Sequence, residues 1–599
     1  MPRSLRTTAV LLAALASACR GGPVPTPPGL PPASPTSDAP LRLTLVGTND
    51  FHGWVGARRQ TLPDGQVVEE GGAANYGGYV ARLRQDNPGG VFLVDAGDLF
   101  QGTLPSNLTE GALVVDVYNY LGYAAAALGN HEFDYGPEGP SPIATHPGED
   151  PLGALKVRVK QARFPFLAAN LREADGQRPA WTGNDGTALV TVQGVKVGIL
   201  GLSTPSTPQT TNPANVAALR FQPMLPVTLA AAQSLRARGA EVVVITAHAG
   251  GHCAKLEDPR DTSSCDRQDG EIYALLEALP PGTVDAVVAG HTHQPMGHFF
   301  GDVPVIETSG QSRSFGVVDL YVDPRTHRVR PELTRIQAAV PVCPRVDEAT
   351  GSCDAAVLRE QRSVHLVPAT FRGGPVTPDA QVEVVMAPTL ARVAAMQRAP
   401  VGVTATEKLL RAYESEGTLG NLIADALRSV AGADVAVMNA GGLRADLAAG
   451  PLTFGDVYEV LPFDNRLALL NLSGAELRRL LSLGYGSRKG VFAVSGVRVT
   501  LDTCQGPQRL QAVTLSDGRP LEPTVMYRVA LPDFLARGGD GVGPLTDTLP
   551  PERVDLARGE DLRQVLIAHG RAHGGTLVPP QVGRVIFTPP QGACPNAGH

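Results

Sequence analysis

Residues 41–52 read LRLTLVGTNDFH, an apolar run that ends at Asp50 and His52. Four further runs end in the same way, VFLVDAGD at Asp98, AAAALGNH at Asn130 and His131, VVVITAH at His248, and VDAVVAGHTH at His291 and His293. Each run is rich in Val, Ile, Leu or Ala and is followed by glycine or polar residues, which is typical of a buried strand. Ligands of open α/β sheets bind at the carboxyl ends of the strands, so we expect these side chains to converge on one site.

The length and the charge of the chain limit the classes of protein it can represent. At 599 residues it is too long for a single hydrophobic core, so we expect two or more domains. The net charge is -7 and no basic block occurs, which argues against a nucleic-acid polymer as a partner. Small anionic substrates are compatible with this charge.

The N-terminus carries the features of an export signal. Two arginines precede the apolar stretch AVLLAALASA, which is too short to span a membrane and predicts a signal peptide over residues 1–19. Its end, LASAC, resembles a bacterial lipobox, in which Cys19 would become the lipid-carrying N-terminus; ordinary cleavage near Ala18 is the alternative. Residues 20–40 are rich in proline and predict an extended tether. We therefore expect an exported protein, in the periplasm or at the cell surface, that meets a membrane only through a lipid on Cys19.

The remaining cysteines support export through their spacing. Six cysteines allow 15 pairings. Proximity favours the pairs Cys253–Cys265, Cys343–Cys353 and Cys504–Cys594, the last one least. None forms a C-x-x-C zinc motif, so metal binding is left to oxygen and imidazole ligands.

The pattern along the chain predicts two α/β domains. Strand-like and helix-like runs alternate over residues 41–340, which is typical of a layered α/β domain. Residues 341–400 predict a connecting segment that ends in a linker helix over residues 378–398, interrupted near Pro388. A second, smaller domain follows over residues 401–590.

The residue types at the strand ends suit a pair of metal ions. At two strand ends the candidate ligands are separated by one residue, so each pair can hold one ion together. Asp98 can bridge two ions with its two oxygens, while Asn130 offers a carbonyl oxygen and His248 an imidazole nitrogen. Such ligands suit Zn, Mn, Fe or Co and do not choose among them. Two ions of this kind promote in-line displacement at phosphorus, which is phosphoester hydrolysis.

The motifs D-x-H, GD, GNHEFD, an isolated His after a strand, and GHTH resemble those of the calcineurin-like metallophosphoesterases. Together with C-terminal motifs, they make the chain resemble the bacterial and animal 5′-nucleotidase family from Leu41 to Phe587. The resemblance implies a four-layer α/β/β/α metallophosphoesterase domain, a helix linker and a smaller α/β substrate-binding domain. It also implies that a metal-bound hydroxide releases phosphate from nucleoside 5′-monophosphates.

The resemblance also assigns ligands for two divalent metal ions, Zn, Mn, Co or Fe. The ligands implied for one ion are Asp50, His52, Asp98 and His293. Asp98 would bridge to the second ion, whose other ligands would be Asn130, His248 and His291. Many relatives have Gln or Asn where His293 stands, so the chain departs from the common family pattern at this ligand.

By the same resemblance, His131 and Asp134 form a catalytic pair. His131 would stabilise charge on the phosphoryl oxygens in the transition state, and Asp134 would orient its ring. The alternative is that His131 is a packed neighbour without a chemical role. His252 is an outside candidate because HAGGH places it near His248, and Glu132 is expected to form local hydrogen bonds.

The second domain is expected to read the substrate. Its NAGGLR segment resembles the NGGGIR motif of the 5′-nucleotidases, by which Asn439 and Arg444 would contact the nucleotide. Phe463 and Phe534 match positions at which the family stacks a nucleobase, and Asp540 matches a carboxylate that receives the ribose hydroxyls. Stacking does not depend on the identity of the base, so broad base tolerance is expected. Core packing is the alternative for either phenylalanine.

One segment departs from the family pattern. Relatives often carry further phosphate-binding arginines before the helix that here begins GTLGNLIADAL, but this chain has RAYESEG there. Arg411 is the one arginine of this segment, and we expect it to bind the substrate. A less cationic pocket would weaken the selection for highly charged substrates.

Two other classes of activity remain open beside 5′-nucleotide hydrolysis. The first is a sibling activity, either UDP-sugar hydrolysis or 2′,3′-cyclic-nucleotide phosphodiesterase with 3′-nucleotidase action. The second is a non-catalytic nucleotide-binding surface protein, whose signature would be missing metal ligands, and none is missing from the sequence. The expected partner is the nucleotide substrate, and we expect a monomer. Because the metal and base sites lie in different domains, we also expect domain rotation hinged near residues 375–400.

Overall fold

The computed structural model describes residues 39–588, apart from residues 140, 145, 268–269, 488, 503, 505–509 and 557–558. The predicted signal peptide, Cys19, nearly all of the predicted tether and Cys594 lie outside the described residues. The described residues cluster as a single unit. Within the described part of the chain, no helix combines the length and the apolar character needed to cross a bilayer.

Two six-stranded sheets form the N-terminal half of the described chain. The strand order in the first sheet is Arg335–Pro341, Ser314–Val322, Leu41–Thr48, Val91–Asp95, Tyr123–Ala127, Phe166–Leu167. The order in the second sheet is Met296–Phe300, Val303–Glu307, Ala286–Ala289, Val242–His248, Val195–Ser203, Thr187–Val192. The central strands of each sheet are parallel, so their carboxyl ends meet at one edge.

The two sheets face each other across a shared apolar core. Leu43 and Leu45 of the first sheet and Val242 and Val244 of the second belong to one buried cluster. Successive side chains of a strand point to opposite faces, so neighbouring positions such as Val46 pack instead against helices. The helices on the outer faces are Ala73–Asp86, Ala112–Leu121 and Ala380–Gln397 on the first sheet, and Met224–Ala237 and Glu271–Ala278 on the second. The four-layer α/β/β/α prediction is confirmed.

The linker helix is continuous, and the predicted interruption near Pro388 is wrong. The helix runs over Ala380–Gln397 with Pro388 inside it, and Asp379 caps its first turn. Proline removes one backbone donor, whose acceptor in a regular helix would be the carbonyl of Val384. Val384 is 61% exposed, so this side of the helix faces solvent and water can satisfy the carbonyl.

The C-terminal half is built on a mixed five-stranded sheet with the order Ala493–Ser495, Val435–Met438, Met526–Pro532, Leu467–Ser473, Val554–Asp555. One face is covered by the helices Thr418–Ala431 and Leu562–Ala572. The other face is covered by the helix Gly474–Gly486 and by the strands Leu510–Leu515, Val497–Asp502 and Val585–Thr588. A further three-stranded sheet has the order Gly450–Thr453, Pro400–Ala405, Thr576–Leu577, and the helix Phe454–Val460 follows its first strand.

Short elements complete the described chain. Two-stranded pairs are formed by Arg58–Thr61 with Val67–Glu70, Leu171–Glu173 with Leu219–Phe221, Arg345–Asp347 with Leu366–Pro368, and Thr370–Phe371 with Gly374–Pro375. Short helices cover Leu104–Asn107, Gly153–Gln161, Thr207–Thr210, Pro213–Val216, Ala355–Arg359, Asp533–Ala536 and Gly543–Thr546.

Two of the three predicted disulfides are present, Cys253–Cys265 and Cys343–Cys353. Cys504 is also disulfide-bonded, but Cys594, its predicted partner, lies outside the described residues.

Candidate active site

The candidate ligands follow the carboxyl ends of parallel strands, and most of them have an unusual backbone. Five of the seven adopt the left-handed region, Asp50 (φ 51°), His52 (φ 49°), Asp98 (φ 59°), His291 (φ 84°) and His293 (φ 56°). Residues other than glycine rarely take this conformation, which costs about 1–3 kcal/mol each. Such strain persists only where the surrounding structure imposes it, and its concentration here indicates a functional site.

One group of ligands consists of Asp50, His52 and His293, whose ligand atoms all lie within 4.8 Å of one another. Nε2 of His293 lies 3.2 Å from Oδ1 of Asp50 and 3.1 Å from Nε2 of His52. The other oxygen of Asp50 accepts hydrogen bonds from Asn49 and from the backbone N–H of His291. These bonds fix the carboxylate with Oδ1 directed towards the two imidazoles.

A second group consists of Asp98, His248 and His291, again within 4.8 Å of one another. Nε2 of His248 lies 3.1 Å from Oδ2 of Asp98, 3.1 Å from Nδ1 of His291 and 2.9 Å from Oδ1 of Asn130. Asn130 donates from Nδ2 to the carbonyl of Thr210, which orients its amide oxygen towards His248.

Asp98 lies between the two groups. Its Oδ2 is 3.1 Å from Nε2 of His248 in one group and 3.8 Å from Nε2 of His52 in the other. A carboxylate in this position can bridge two ions. The structure therefore brings together all seven residues that the sequence predicts as ligands.

The donor set fits metal ions rather than a network of hydrogen bonds alone. Nδ1 of His52 lies 2.7 Å from the carbonyl of Gln101, and Nδ1 of His248 lies 2.8 Å from the carbonyl of Ala96. A carbonyl only accepts, so each Nδ1 carries a proton, and with a metal bound each ring would direct the lone pair of Nε2 into the site. Nε2 of His248 faces carboxylate and amide oxygens there, and Oδ1 of Asp50 is buried without a hydrogen-bond partner among the described residues. A cation between these acceptors would satisfy all of them.

The negative charge of the buried carboxylates also favours a cation in the site. Burial by itself lowers the pKa of His248, but the carboxylates of Asp98 and Asp50 raise it to about 10. The negative field at His248 is thus strong enough to hold a positive charge in a buried place.

Glu132 ties two of the ligand loops together. Its carboxylate accepts hydrogen bonds from the backbone N–H groups of Asp98, Leu99 and Gly129, over 2.8, 2.6 and 2.7 Å. A Cβ atom on Gly129 would lie 2.2 Å from Oδ1 of Asp98, so only glycine fits beside this carboxylate. Glu307, which the sequence did not indicate, supports the GHTH loop by accepting from the hydroxyl of Thr292 over 2.6 Å.

His131 and Asp134 form a pair beside the ligand groups. Nδ1 of His131 lies 2.6 Å from Oδ2 of Asp134, whose other oxygen accepts from the hydroxyl of Thr211 over 2.7 Å. Burial lowers the pKa of His131, but Asp134 and Asp98 outweigh it and raise the pKa above its usual value. Since Nδ1 is engaged, Nε2 is the nitrogen left to act in the cavity that His131 lines.

This cavity is lined by residues from both halves of the chain. Its ligand-side residues are Asp98, Asn130, His131, Asp134, His291 and His293. Its C-terminal residues include Asn439, Arg444, Phe463, Phe534 and Asp540, five of the six residues that the sequence predicts to contact the substrate. Nη2 of Arg444 lies 3.0 Å from Nε2 of His52, and the rings of His131 and Phe463 are 5.3 Å apart.

Asp540 and Asn439 hold each other in place within the cavity wall. Nδ2 of Asn439 donates to Oδ2 of Asp540 over 2.8 Å, and burial raises the pKa of Asp540 to about 6. Asp540 has φ 49°, and a Cβ atom on the preceding Gly539 would lie 2.4 Å from the ring of Phe534. The turn thus requires glycine so that the ring of Phe534 can pack against it.

Two candidates lie outside the lining of the cavity. Arg411 is not among the lining residues; its Nη1 donates to the carbonyl of Arg444 over 3.3 Å, and burial together with Arg444 lowers its pKa to about 10. His252 is exposed and does not line the cavity. Arg411 can therefore hold the backbone of Arg444 in position, and Arg444 lines the cavity.

Several lining residues were missed at the level of sequence. They are Gln101, Asn107, Thr211, Tyr413 and Lys489. Gln101 follows Asp98 by three residues in the same ligand loop, which is a signal that could have found it. Lys489 and Tyr413 come from segments without a recognisable motif, and only the fold brings them to the cavity.

The family models agree with this geometry. Residues 43–295 match the calcineurin-like phosphoesterase model, and residues 400–547 match the 5′-nucleotidase C-terminal domain. The class of protein is thus a calcineurin-like phosphoesterase with a dedicated C-terminal domain. The chain belongs to the 5′-nucleotidase family, and it is a phosphoester hydrolase of the 5′-nucleotidase type.

Individual relatives cover most of the chain. Endonuclease YhcR of Bacillus subtilis is 24% identical over 512 residues, which are 84% of this chain but only 37% of that protein. Protein UshA of Yersinia enterocolitica is 26% identical over 550 residues, 86% of this chain and 88% of that protein. Among solved structures, a 5′-nucleotidase precursor from Thermus thermophilus has a TM-score of 0.71 and 26% identity, and covers 91% of this chain and 99% of its own.

Proposed function

We propose that this protein releases phosphate from nucleoside 5′-monophosphates. The observation that carries the proposal is one cavity lined both by the ligand groups with His131 and by Phe463, Phe534 and Asp540. A compound that carries a phosphate, an aromatic base and a sugar with free hydroxyls offers a partner to each of these groups. Membership of the 5′-nucleotidase family supports the same substrate class.

Two divalent cations, Zn, Mn, Co or Fe, would be held by the two ligand groups. Asp50, His52 and His293 would hold one, Asp98 would bridge, and the residues completing the other are Asn130, His248 and His291. When bound, such ions supply Lewis acidity and lower the pKa of a water for attack on phosphorus. The carbonyls of Gln101 and Ala96 keep the rings of His52 and His248 in the tautomer that ligation needs.

His131 would stabilise the phosphoryl oxygens as negative charge moves onto them. Its raised pKa favours the protonated ring, and a cationic N–H donor is worth more to an oxyanion than a neutral one. Asp134 holds Nδ1, and Thr211 in turn holds Asp134, so Nε2 is fixed towards the cavity.

The C-terminal residues would bind the nucleoside. Stacking on Phe463 or Phe534 contributes about 0.5–1.5 kcal/mol beyond the buried area and accepts any base. Asp540 would accept hydrogen bonds from the ribose hydroxyls, with Asn439 orienting its carboxylate. Arg444 of the NAGGLR segment lines the cavity and brings positive charge to it, and so does Lys489, which no motif predicted.

We further propose that the protein is exported and acts at the cell surface or in the periplasm. The two disulfides of the described residues support an oxidising compartment. Lipidation of Cys19 stays a prediction, because this residue lies outside the described residues.

A phosphate-release panel tests the proposal. AMP, UDP-glucose, 2′,3′-cyclic AMP and duplex DNA would be compared at equal concentration, each with Mn, Zn and Co. AMP should be the best substrate, and Asp98→Asn and His131→Ala should each abolish most of its turnover. His252→Ala is the matched control, because His252 is exposed outside the cavity, and it should keep full activity. A preference for UDP-glucose, the cyclic nucleotide or DNA would contradict the substrate class.

A further inference from the structure

Gln101 is a buried polar side chain without a partner in the wall of the cavity. Its exposed fraction is 2%, and it lies in the cavity lining. Neither Nε2 nor Oε1 has a hydrogen-bond partner among the described residues. An unpaired buried polar group costs about 1–3 kcal/mol, and most proteins avoid it. A carboxamide kept in this state therefore calls for a ligand that pairs with it.

The backbone around Gln101 is fixed on both sides. Its carbonyl lies 2.7 Å from Nδ1 of His52, and the N–H of Gly102 donates to Oδ1 of Asn107 over 2.9 Å. A Cβ atom on Gly102 would lie 2.3 Å from the carbonyl oxygen of His52, so the two segments are in close contact. Gln101 is thus anchored beside a candidate metal ligand.

We propose that Nε2 of Gln101 donates a hydrogen bond to a non-bridging oxygen of the phosphoryl group that the enzyme hydrolyses. The inference rests on phosphoester hydrolysis, and it adds a substrate-contacting residue to the proposed function. The phosphoryl group is the part of the substrate that must approach His52 and Asp98. The backbone carbonyl of Gln101 accepts a hydrogen bond from the ring of His52, and Gln101 follows Asp98 by three residues, so this residue lies close to both.

This contact would favour monoesters over diesters. A phosphate monoester has three non-bridging oxygens and a diester has two. Gln101, His131 and Arg444 all line the cavity as potential donors, in addition to the cations. A diester leaves one of these groups without an oxygen, and an amide donor that stays unpaired keeps its desolvation cost. Gln101 therefore helps the enzyme to select monoesters over diesters, because a monoester offers one more non-bridging phosphate oxygen.

The test uses Gln101→Met, which keeps an unbranched side chain of similar length without the amide. Three quantities would be measured on the metal-loaded enzyme: kcat/KM for p-nitrophenyl phosphate, kcat/KM for bis(p-nitrophenyl) phosphate, and inhibition by orthophosphate. A metal-loaded melting curve without phosphate would be added. We expect kcat/KM for the monoester to fall roughly 10- to 100-fold and orthophosphate inhibition to weaken, with a smaller loss for the diester. The melting temperature should stay level or rise, because an unpaired amide is removed.

The opposite pattern would overturn the inference. If Gln101→Met melts at a lower temperature while the monoester kinetics and orthophosphate inhibition are unchanged, Gln101 has a structural role only. Gln101→Leu serves as a second variant should the methionine variant not fold, and it is judged by the same criteria. Neither chromogenic ester is a nucleotide, so failure of AMP as a substrate would leave this test intact.

Discussion

The side chain of Asn107 donates a hydrogen bond to the backbone carbonyl of Pro462 over 2.9 Å, and so joins the two halves of the cavity. Its Nδ2 also donates to the hydroxyl of Tyr458, while its Oδ1 accepts from the N–H of Gly102 and the hydroxyl of Tyr135. Pro462 precedes Phe463, the candidate base-stacking residue. The position of that ring thus depends on a residue of the N-terminal half.

Asn107→Asp should weaken nucleotide binding more than phosphate chemistry. The change keeps the acceptor Oδ1 and replaces the donor by an oxygen that repels the carbonyl of Pro462. We expect the KM for AMP to rise about 10-fold, from the loss of about 1–2 kcal/mol of hydrogen bonding, with a smaller change for p-nitrophenyl phosphate. Asn119→Asp is the matched control, since Asn119 bonds to Gln161 within the N-terminal half. Equal losses on both substrates would argue against a role in placing Phe463.

Asp134→Asn should lower kcat with little effect on KM. An asparagine can keep the hydrogen bond to Nδ1 of His131, but it removes the negative charge that helps to raise the pKa of that ring. The loss of a cationic donor in the transition state should cost roughly 10²–10⁴-fold in kcat. Steady-state kinetics of AMP hydrolysis measure this. Thr211→Val, which removes only the hydroxyl that supports Asp134, should cost much less; a full loss there would point to misfolding of the loop instead.

Asp540→Asn should stabilise the fold while it weakens binding of the ribose. Burial raises the pKa of Asp540 from 3.8 to about 6, so the folded chain binds more protons than the unfolded chain between about pH 4 and 6. Stability is therefore lost as the pH rises through this window, by on the order of 3 kcal/mol for a shift of this size. Asparagine tolerates the left-handed backbone at this position and carries no charge to bury.

Urea unfolding at about pH 4 and pH 7 checks this prediction. The free energy of unfolding of Asp540→Asn should exceed that of the wild-type chain at pH 7 and approach it at pH 4. The KM of the variant for AMP should rise at the same time. If Asp540→Asn is less stable than the wild-type chain at pH 7, the ionised carboxylate of Asp540 stabilises the fold, which contradicts the prediction.

The ligand set could be read from the sequence because its signal is local. Each ligand stands at the end of an apolar strand, and parallel strands bring their carboxyl ends together whatever the loops between them do. The order of strands in each sheet was not needed for this conclusion. The disulfides Cys253–Cys265 and Cys343–Cys353 were likewise predictable, because each closes a short loop.

What the sequence could not supply depends on the packing of distant segments. Lys489 and Tyr413 have no motif, and they reach the cavity only through the arrangement of the C-terminal sheet. The contact from Asn107 to Pro462 spans 355 residues and depends on how the two halves meet. The linker helix continues through Pro388 because the affected side of the helix is exposed, and local propensity does not encode that exposure.

The central claim is that two cations bind side by side and share Asp98, and anomalous diffraction from crystals grown with Mn²⁺ tests it most directly. We predict two anomalous peaks roughly 3.5–4 Å apart. One peak should lie among Asp50, His52 and His293, the other among Asn130, His248 and His291, with Asp98 in contact with both. A single peak, or peaks at which Asp98 is not a ligand, would contradict the account.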